Sequence, residues 1–301
     1  MKKGFIISLI VAASLLAAGF ITGIVGLSLS NFKFGPSSQT NTVALTDAFD
    51  KIVIDVDTSD VKILPSDNGT SHVKLIEPAD PRTQHSVGVA NGVLHIKMED
   101  TRKWHEHIGI NYWGDLSVTV YLAEADFLSI SVETDTGDIA ISKGFSFGSA
   151  SVESDTGDID WSASVSGKLE AGTDTGDIRI SGVACQRLEI ESDTGDVTVA
   201  DASATSGISA ETDTGDVKLT GATAADTLYV KTSTGDVTLA GCDGASVIIK
   251  TGTGDVSGTL LSPKDFDADS GTGDVKVPKS SGNSRCEIKS STGDINIAIK
   301  K

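Results

Sequence analysis

The triplet Thr-Gly-Asp recurs with glycines at Gly137, Gly157, Gly176, Gly195, Gly215, Gly235, Gly254, Gly273 and Gly293, always 19 or 20 residues apart. A unit that short cannot bury an apolar face alone, so successive copies must stack and share one core. Two residues after each glycine stands a β-branched residue, from Ile139 through Val217 to Ile295. The columns four after and five before, from Ile141 to Ile297 and from Val132 to Ile288, are mostly apolar. Alternation of this kind is the period of a strand with one buried face. Gly258 interrupts the column four after the glycine and reads as a locally weak rung.

The expected fold is therefore all-β, a parallel β-solenoid (β-helix) over residues 128–301. Each rung has two short strands joined by the Thr-Gly-Asp turn and returned by a variable Gly/Ser/Ala stretch. An aromatic content of 5% with 32 glycines suits narrow stacked strands and tight turns. Residues 46–127 alternate less regularly, with strand-like runs at 49–56, 61–64, 72–76, 87–97 and 116–122. They read as an irregular N-terminal β cap. Thr58-Ser59-Asp60 and Trp113-Gly114-Asp115 resemble degenerate turns, so the stack is expected to begin within the cap.

From Gly4 to Leu29 no residue is charged. About 20 apolar residues cross a bilayer, and a signal h-region needs only about 7 to 15, so the length favours a retained transmembrane anchor over residues 1–30. Ala17-Ala18-Gly19 offers the alternative of cleavage, which would leave an apolar tail on the mature chain. Lys2 and Lys3 hold the N-terminus in the cytoplasm, which places a linker over 31–45 and everything after it outside a single-pass cell-membrane anchor. No cysteine near the segment offers a lipid attachment point, and no LPxTG signal closes the sequence.

The formal charge of −18 argues against a nucleic-acid partner. Cys185, Cys242 and Cys286 are too few and scattered for a disulfide framework or zinc site, and read as small core residues.

Three polar columns could carry chemistry. A hydroxyl precedes every glycine by three residues, from Thr134 to Ser290, on the core side by parity, where it can satisfy turn backbone. The aspartate after the glycine is constant: Asp138, Asp158, Asp177, Asp196, Asp216, Asp236, Asp255, Asp274 and Asp294. Stacked like charges about 4.8 Å apart repel by roughly 0.9 kcal/mol per pair in water, so something must compensate. An Asx-type turn accepting backbone N–H bonds is the expected device. The alternative is calcium, for which Asp135, Asp138, Asp155, Asp158, Asp174, Asp177, Asp193, Asp196, Asp213 and Asp216 are candidates, because rungs one to five carry two acids each. No other cofactor is expected.

Asp-Thr-Gly also marks aspartic proteases, but such a site pairs two carboxylates across two lobes, whereas these form a row. A threonine array facing ice is disfavoured, since a tight turn makes a poor flat face. Trp104, Tyr112 and Trp113 share one loop and form a possible ligand platform or a plug over the solenoid's end. His105, Glu106 and His107 there are a weak metal-ligand set.

The uncharged segment, the cap runs Ile52-Val53-Ile54 and Val61-Lys62-Ile63, and the tandem Ser/Asp-Thr-Gly-Asp-Ile/Val turns resemble a bacterial family of candidate adhesins of unknown function built from β-strand repeats. The resemblance covers about residues 45–301. It implies a surface role and brings no catalytic residues. The expected function is a non-catalytic, membrane-anchored adhesin-like or scaffold protein with a glycan, matrix or envelope-protein partner. Its rivals are an envelope-stress sensor or assembly factor of a membrane operon, and a carbohydrate-active β-helix enzyme. The last would need acids gathered with a basic residue, yet Arg179, Arg187 and Arg285 lie on different rungs.

Overall fold

The computed structural model describes residues 38–80, 82–101, 115–279, 282 and 284–300, and among them shows 27 strands and no helix. The cap comprises β1 (Ser38–Ala44), β2 (Lys51–Val56), β3 (Asp60–Pro65), β4 (His72–Pro78), β5 (Thr83–Ala90), β6 (Val93–Asp100) and β7 (Ser117–Leu122). The repeats supply β8 (Asp126–Thr136), β9 (Ile139–Ile141), β10 (Ser146–Thr156), β11 (Ile159–Trp161), β12 (Ser164–Val165), β13 (Lys168–Thr175), β14 (Ile178–Ser181), β15 (Ala184–Cys185), β16 (Arg187–Thr194) and β17 (Val197–Ala200). They continue as β18 (Ser203–Ala204), β19 (Ile208–Thr214), β20 (Val217–Thr220), β21 (Thr223–Thr234), β22 (Val237–Thr253), β23 (Val256–Leu260), β24 (Asp265–Ser270), β25 (Val275–Lys276), β26 (Arg285–Thr292) and β27 (Ile295–Ile299).

The alternation dictates the register. Strands before the turn pair in parallel as Val132↔Val152↔Ala171↔Ile190↔Ala210↔Val230↔Ile249. Strands after it pair as Ile139↔Ile159↔Ile178↔Val197↔Val217↔Val237↔Val256 on a second sheet. Nearly all of these are wholly buried. The core also holds a column seven residues before the glycine, Ile130, Ala150, Leu169, Leu188, Ile208, Leu228 and Val247. The return stretches are not mere loops either: β12 pairs in parallel with the start of β10, β15 with β18 and β18 with the start of β21, and Val183, Ala202, Ala222 and Cys242 are buried in the returns. All three cysteines are buried and free.

Gly258 is not simply a weak point. An added Cβ there would lie 1.9 Å from the Leu239 carbonyl oxygen, and the ladder shifts register between Ala240 and Cys242, which brings Leu260 into the core in the next paired position. The extra residue of this β-bulge is Gly241 on β22, at a φ of +65° that suits glycine, while Gly258 lets the paired backbone approach closely.

Rungs do not stack in chain order at either end. β2 and β3 lie between β6/β7 and β8/β9, so the first rung of the chain sits one place inside the second. At the other end β26 and β27 insert between β22/β23 and β24/β25, leaving the eighth Thr-Gly-Asp rung outermost. The N-terminal end is closed by antiparallel strands, β5 on β6 and β1–β4 on β7. The run 87–97, expected as one strand, is split by a hairpin turn at Asn91-Gly92, with φ of +53° and +78°. Residues 38–44, within the expected linker, form β1. The expected anchor at 4–29 lies outside the described residues, among which no helix is long and apolar enough to cross a membrane.

Candidate functional site: the turn edge and the outer face

The turn has one job for each of its residues. The Gly157 amide donates to the Thr175 carbonyl and the Ile159 amide to the Asp177 carbonyl, and the same bonds recur rung after rung. The glycine carbonyl accepts from the next rung's hydroxyl: Ser154 to Gly137 (3.1 Å), Thr173 to Gly157 (3.1 Å), Thr212 to Gly195 (3.0 Å) and Thr232 to Gly215 (3.0 Å). This is the structural duty expected of the hydroxyl column.

The aspartates do accept backbone N–H bonds, but across rungs rather than within an Asx turn. Asp138 Oδ1 accepts the Asp158 amide (2.9 Å), Asp158 that of Asp177 (2.8 Å), and the chain continues through Asp196, Asp216, Asp236 and Asp255. At the swapped end it passes from Asp255 to Asp294 and then to Asp274. At the other end Asp60 takes the place of a preceding ladder residue for Asp138. A hydrogen bond to a charged group contributes about 1.5 kcal/mol or more, which exceeds the roughly 0.9 kcal/mol repulsion between neighbours in water. Burial pushes the Asp158 carboxyl up, but the Asp177 amide and the Arg179 guanidinium outweigh it and hold the group below the usual range. Arg179 reaches both Asp158 (3.0 Å) and Asp177 (2.6 Å).

The second acid column, Asp135, Asp155, Asp174, Asp193 and Asp213, is exposed at the end of the longer strands, on the far side of the glycine from the ladder. Among the described residues no group of three or more His, Cys, Asp or Glu side chains is gathered as a metal ion would require. Trp104, His105, Glu106, His107, Tyr112 and Trp113 lie outside the described residues.

The outer face of the longer strands is patterned in a way that turn-centred reading missed. Four residues before the glycine, Glu133, Glu153, Glu191 and Glu211 give way to Lys231, Lys250 and Lys289. Gly172 interrupts the acids, and a cavity of about 530 Å³ opens over it, lined by Glu153, Glu170, Glu189, Glu191, Glu211 and Arg187 among others. Lys168 and Arg187 pair with Glu189 and hold its carboxyl below the usual range.

One further constellation joins the cap to the first turn. Ser59, in the position of a turn glycine, bonds through its hydroxyl to His85 Nε2 (3.1 Å), and His85 Nδ1 faces Glu77 Oε2 (3.4 Å). Glu77 also accepts from the His85 amide and from Asn41 and Gln39. Hydroxyl, imidazole and carboxylate in this order recur in serine hydrolases. Here Ser59 has 0% exposure and Glu77 2%, so no substrate reaches the hydroxyl. Burial pushes the His85 pKa down, against the Glu77 carboxylate. The signal in the sequence was faint, since three residues spaced over 26 positions carry no motif.

No curated protein matches the chain. Among solved structures it is similar to a candidate adhesin from Bacteroides fragilis NCTC 9343, at 17% identity over 87% of this chain and 99% of that one, with a TM-score of 0.47. It is also similar to a candidate adhesin from Parabacteroides distasonis ATCC 8503 (11%, 87% and 98%, TM-score 0.47) and to a candidate lipid-binding protein from the same organism (14%, 88% and 98%, TM-score 0.45). The Toastrack DUF4097 family model matches residues 49–239 and again 185–301, and the chain belongs to that family.

Proposed function

We propose that this chain is a single-pass, membrane-anchored bacterial surface protein that acts without catalysis, as an adhesin-like scaffold carrying a rigid solenoid outside the membrane. The observation that carries the reading is the use made of the repeated polar groups. Turn hydroxyls and ladder aspartates are occupied by backbone, which leaves the exposed second acid column and the charged outer face of the longer strands along the rod. A concave acidic surface over Gly172, flanked by Lys168 and Arg187, suits a glycan, matrix component or envelope protein better than a reacting small molecule. The anchor is supported by the uncharged length of residues 4–29 and by the lysines before it.

Topology is tested by labelling intact cells at Thr205→Cys with an impermeant thiol reagent. Background is low, because burial pushes the thiols of Cys185 and Cys286 up to about 11 and about 12 and that of Cys242 upward as well. Labelling only after lysis would place the rod in the cytoplasm and sink the reading. Binding is tested on immobilised glycans and matrix proteins, with Glu153, Glu191 and Glu211 all changed to Gln expected to lose the interaction.

A further inference from the structure

Two columns of the outer face change character at the same junction, between β19 and β21. Two residues before the glycine, Asp135, Asp155, Asp174, Asp193 and Asp213 give way to Ser233, Gly252, Gly271 and Ser291. Four before it, acids give way to lysines in the register Glu191↔Glu211↔Lys231↔Lys250↔Lys289. By the two-residue period both columns share the solvent face of the strands. The turn does not require the switch, because its glycine, ladder aspartate and hydroxyl run through the junction unchanged. At the junction itself the groups pair within the chain: Lys231 with Glu211 (3.5 Å), and the Ser233 hydroxyl donates to Asp213 (3.2 Å). One strand farther out on either side, Glu191 and Lys250 are both exposed and make no ion pair among the described residues. Lys250 lies over the Tyr229 ring, 5.8 Å from its centroid.

A face that is acidic on one side of a line and basic or neutral on the other is complementary to itself turned through a half-circle about that line. We propose that this face binds the same face of a second copy, about a twofold axis running along the strand direction between β19 and β21. The rotation keeps each column and reverses the order of the rungs. Glu211 then faces Lys231 of the second copy, and Glu191 faces its Lys250. Gly172, with the acid-lined cavity of about 530 Å³ over it, receives Lys289. Nearer the turn, Asp213, Asp193 and Asp174 meet Ser233, Gly252 and Ser291, so no carboxylate opposes another. Tyr229, registered with Ser209, lies beside the axis and flanks its own counterpart. An aromatic centre ringed by charged pairs is the usual anatomy of a specific interface.

The match ends where Glu153 would meet Asp269. Lys168 and Glu170 face Arg285 and Glu287, but each is an ion pair within its own copy (3.0 Å in both), so these weigh little on the balance. The six strands β13, β16, β19, β21, β22 and β26 span about 24 Å along the rod and about 20 Å along the strands, roughly 1,000 Å² over both copies, which is the small end of specific interfaces. An acidic glycan would be repelled by one half of this face and a basic partner by the other, whereas a second copy satisfies both. The rotation lays two rods side by side pointing opposite ways, so copies anchored at their N-terminal ends would come from facing membranes. The inference deepens the surface reading by naming a partner, and rests on the outer face being the binding surface; only its cell-to-cell sense rests on the anchor.

The test follows the full chain in detergent by sedimentation velocity, at protein concentrations up to about 100 µM. A dimer is expected in about 50 mM sodium chloride, with its dissociation constant raised at least tenfold in about 500 mM. Glu191→Lys alone and Lys250→Glu alone, both at exposed positions, should each weaken it at least tenfold, and the two changes together should restore it to within roughly threefold, with melting confirming that the fold persists. Mixing the two single variants is the sharper arm. Each fails alone, but the twofold sets position 191 of one against position 250 of the other, so the mixture should pair as the parent does. A chain that stays monomeric at both salt concentrations overturns the proposal and leaves the face to a glycan or another protein, for which the screen on immobilised ligands is a separate readout. A dimer indifferent to salt and to both single changes puts the contact elsewhere, and single variants that do not pair when mixed remove the twofold register. Either result overturns it as well.

Discussion

Gly215→Ala probes the close stacking on which the rod depends. Gly215 has φ +152°, and an added Cβ would stand 2.0 Å from the Gly195 carbonyl oxygen and 2.6 Å from its carbon. Both atoms are backbone of the preceding rung, so no side chain can rotate away. Restoring ordinary contact requires the two turns to separate by more than an ångström. Four hydrogen bonds cross that junction: Gly195 amide to Thr214, Val197 amide to Asp216, Thr212 hydroxyl to Gly195 and Asp216 amide to Asp196, all between 2.8 and 3.0 Å. At a net 0.5 to 1.5 kcal/mol each, their loss costs about 2 to 6 kcal/mol, and the positive φ adds strain for alanine. For a domain of this size about 4 kcal/mol lowers Tm by roughly 8 to 16 °C. Gly88→Ala is the control, since nothing lies within 4 Å of its Cβ position and its φ is ordinary. Thermal melting of both variants decides the matter, and hydrogen exchange should locate the damage at the junction of β19/β20 with β16/β17. A Gly215→Ala protein melting within about 2 °C of Gly88→Ala would show that rung contact at the glycines does not limit stability.

Thr212→Val removes one hydroxyl bond while keeping shape, and should cost about 1 kcal/mol, or roughly 2 to 4 °C in Tm, whereas Thr212→Ser should be nearly neutral. Calcium should raise Tm no more than sodium at matched ionic strength, because the ladder carboxylates already accept amides; a calcium-specific rise above about 5 °C, abolished by Asp135→Asn with Asp155→Asn, would assign the acids to the ion instead. Burial lowers the folded pKa of His85 below its ordinary 6.5, so below about pH 6.5 the unfolded chain takes up a proton that the folded one refuses, and stability is lost as pH falls. Asp57 opposes this at lower pH, because burial and then Asp135, Asp100 and Asp55 raise its pKa, which favours the protonated folded form as pH drops toward the carboxylate range. Melting between pH 7.5 and 5.5 should therefore show a steeper decline for the parent than for His85→Gln, and equal slopes would remove His85 from the account.

Most of the rod was legible because each turn residue is fixed by a contact with the neighbouring rung: glycine against glycine, aspartate carboxylate to aspartate amide, and hydroxyl to glycine carbonyl. A constraint that repeats at every junction leaves one residue type, or one chemical group, in every copy, as Gly, Asp and Ser/Thr do here. The column from Ile130 to Val247 was equally regular but lies farther from the turn, and the returns drift in length, so Ala163 and Val183 fall at different offsets from their glycines. Gly258 misled because a missing side chain in a core column has two causes, a cavity or a backbone that moves in. The charge reversal from Glu211 to Lys231 was visible in the letters, but its meaning needs the outer face to be drawn as one surface. Ser59, His85 and Glu77 were illegible because three different strand connections bring them together.

The exchange of rung order at the C-terminal end is the part of the fold that periodicity alone could never give, since every repeat presents the same turn. Side-chain content explains the preference. The ninth rung carries Ile288, Ile295 and Ile297 where the eighth has Ala268, Val275 and Val277, and each methylene sheltered is worth about 0.8 kcal/mol. Phe266 against Cys286 pulls the other way, and Phe266 keeps part of its burial at the end. The consequence can be read by cross-linking. Lys250 is registered with Lys289, and Lys289 with Asp269, so Lys250 and Asp269 are two strands apart. Disulfides need Cα atoms within about 7 Å, which a neighbouring strand satisfies and a second neighbour at about 9.6 Å does not. Lys250→Cys with Lys289→Cys should therefore oxidise readily, and Lys250→Cys with Asp269→Cys should remain reduced, as judged by free-thiol mass labelling under a mild oxidant. The reverse outcome would mean that the rungs follow chain order after all.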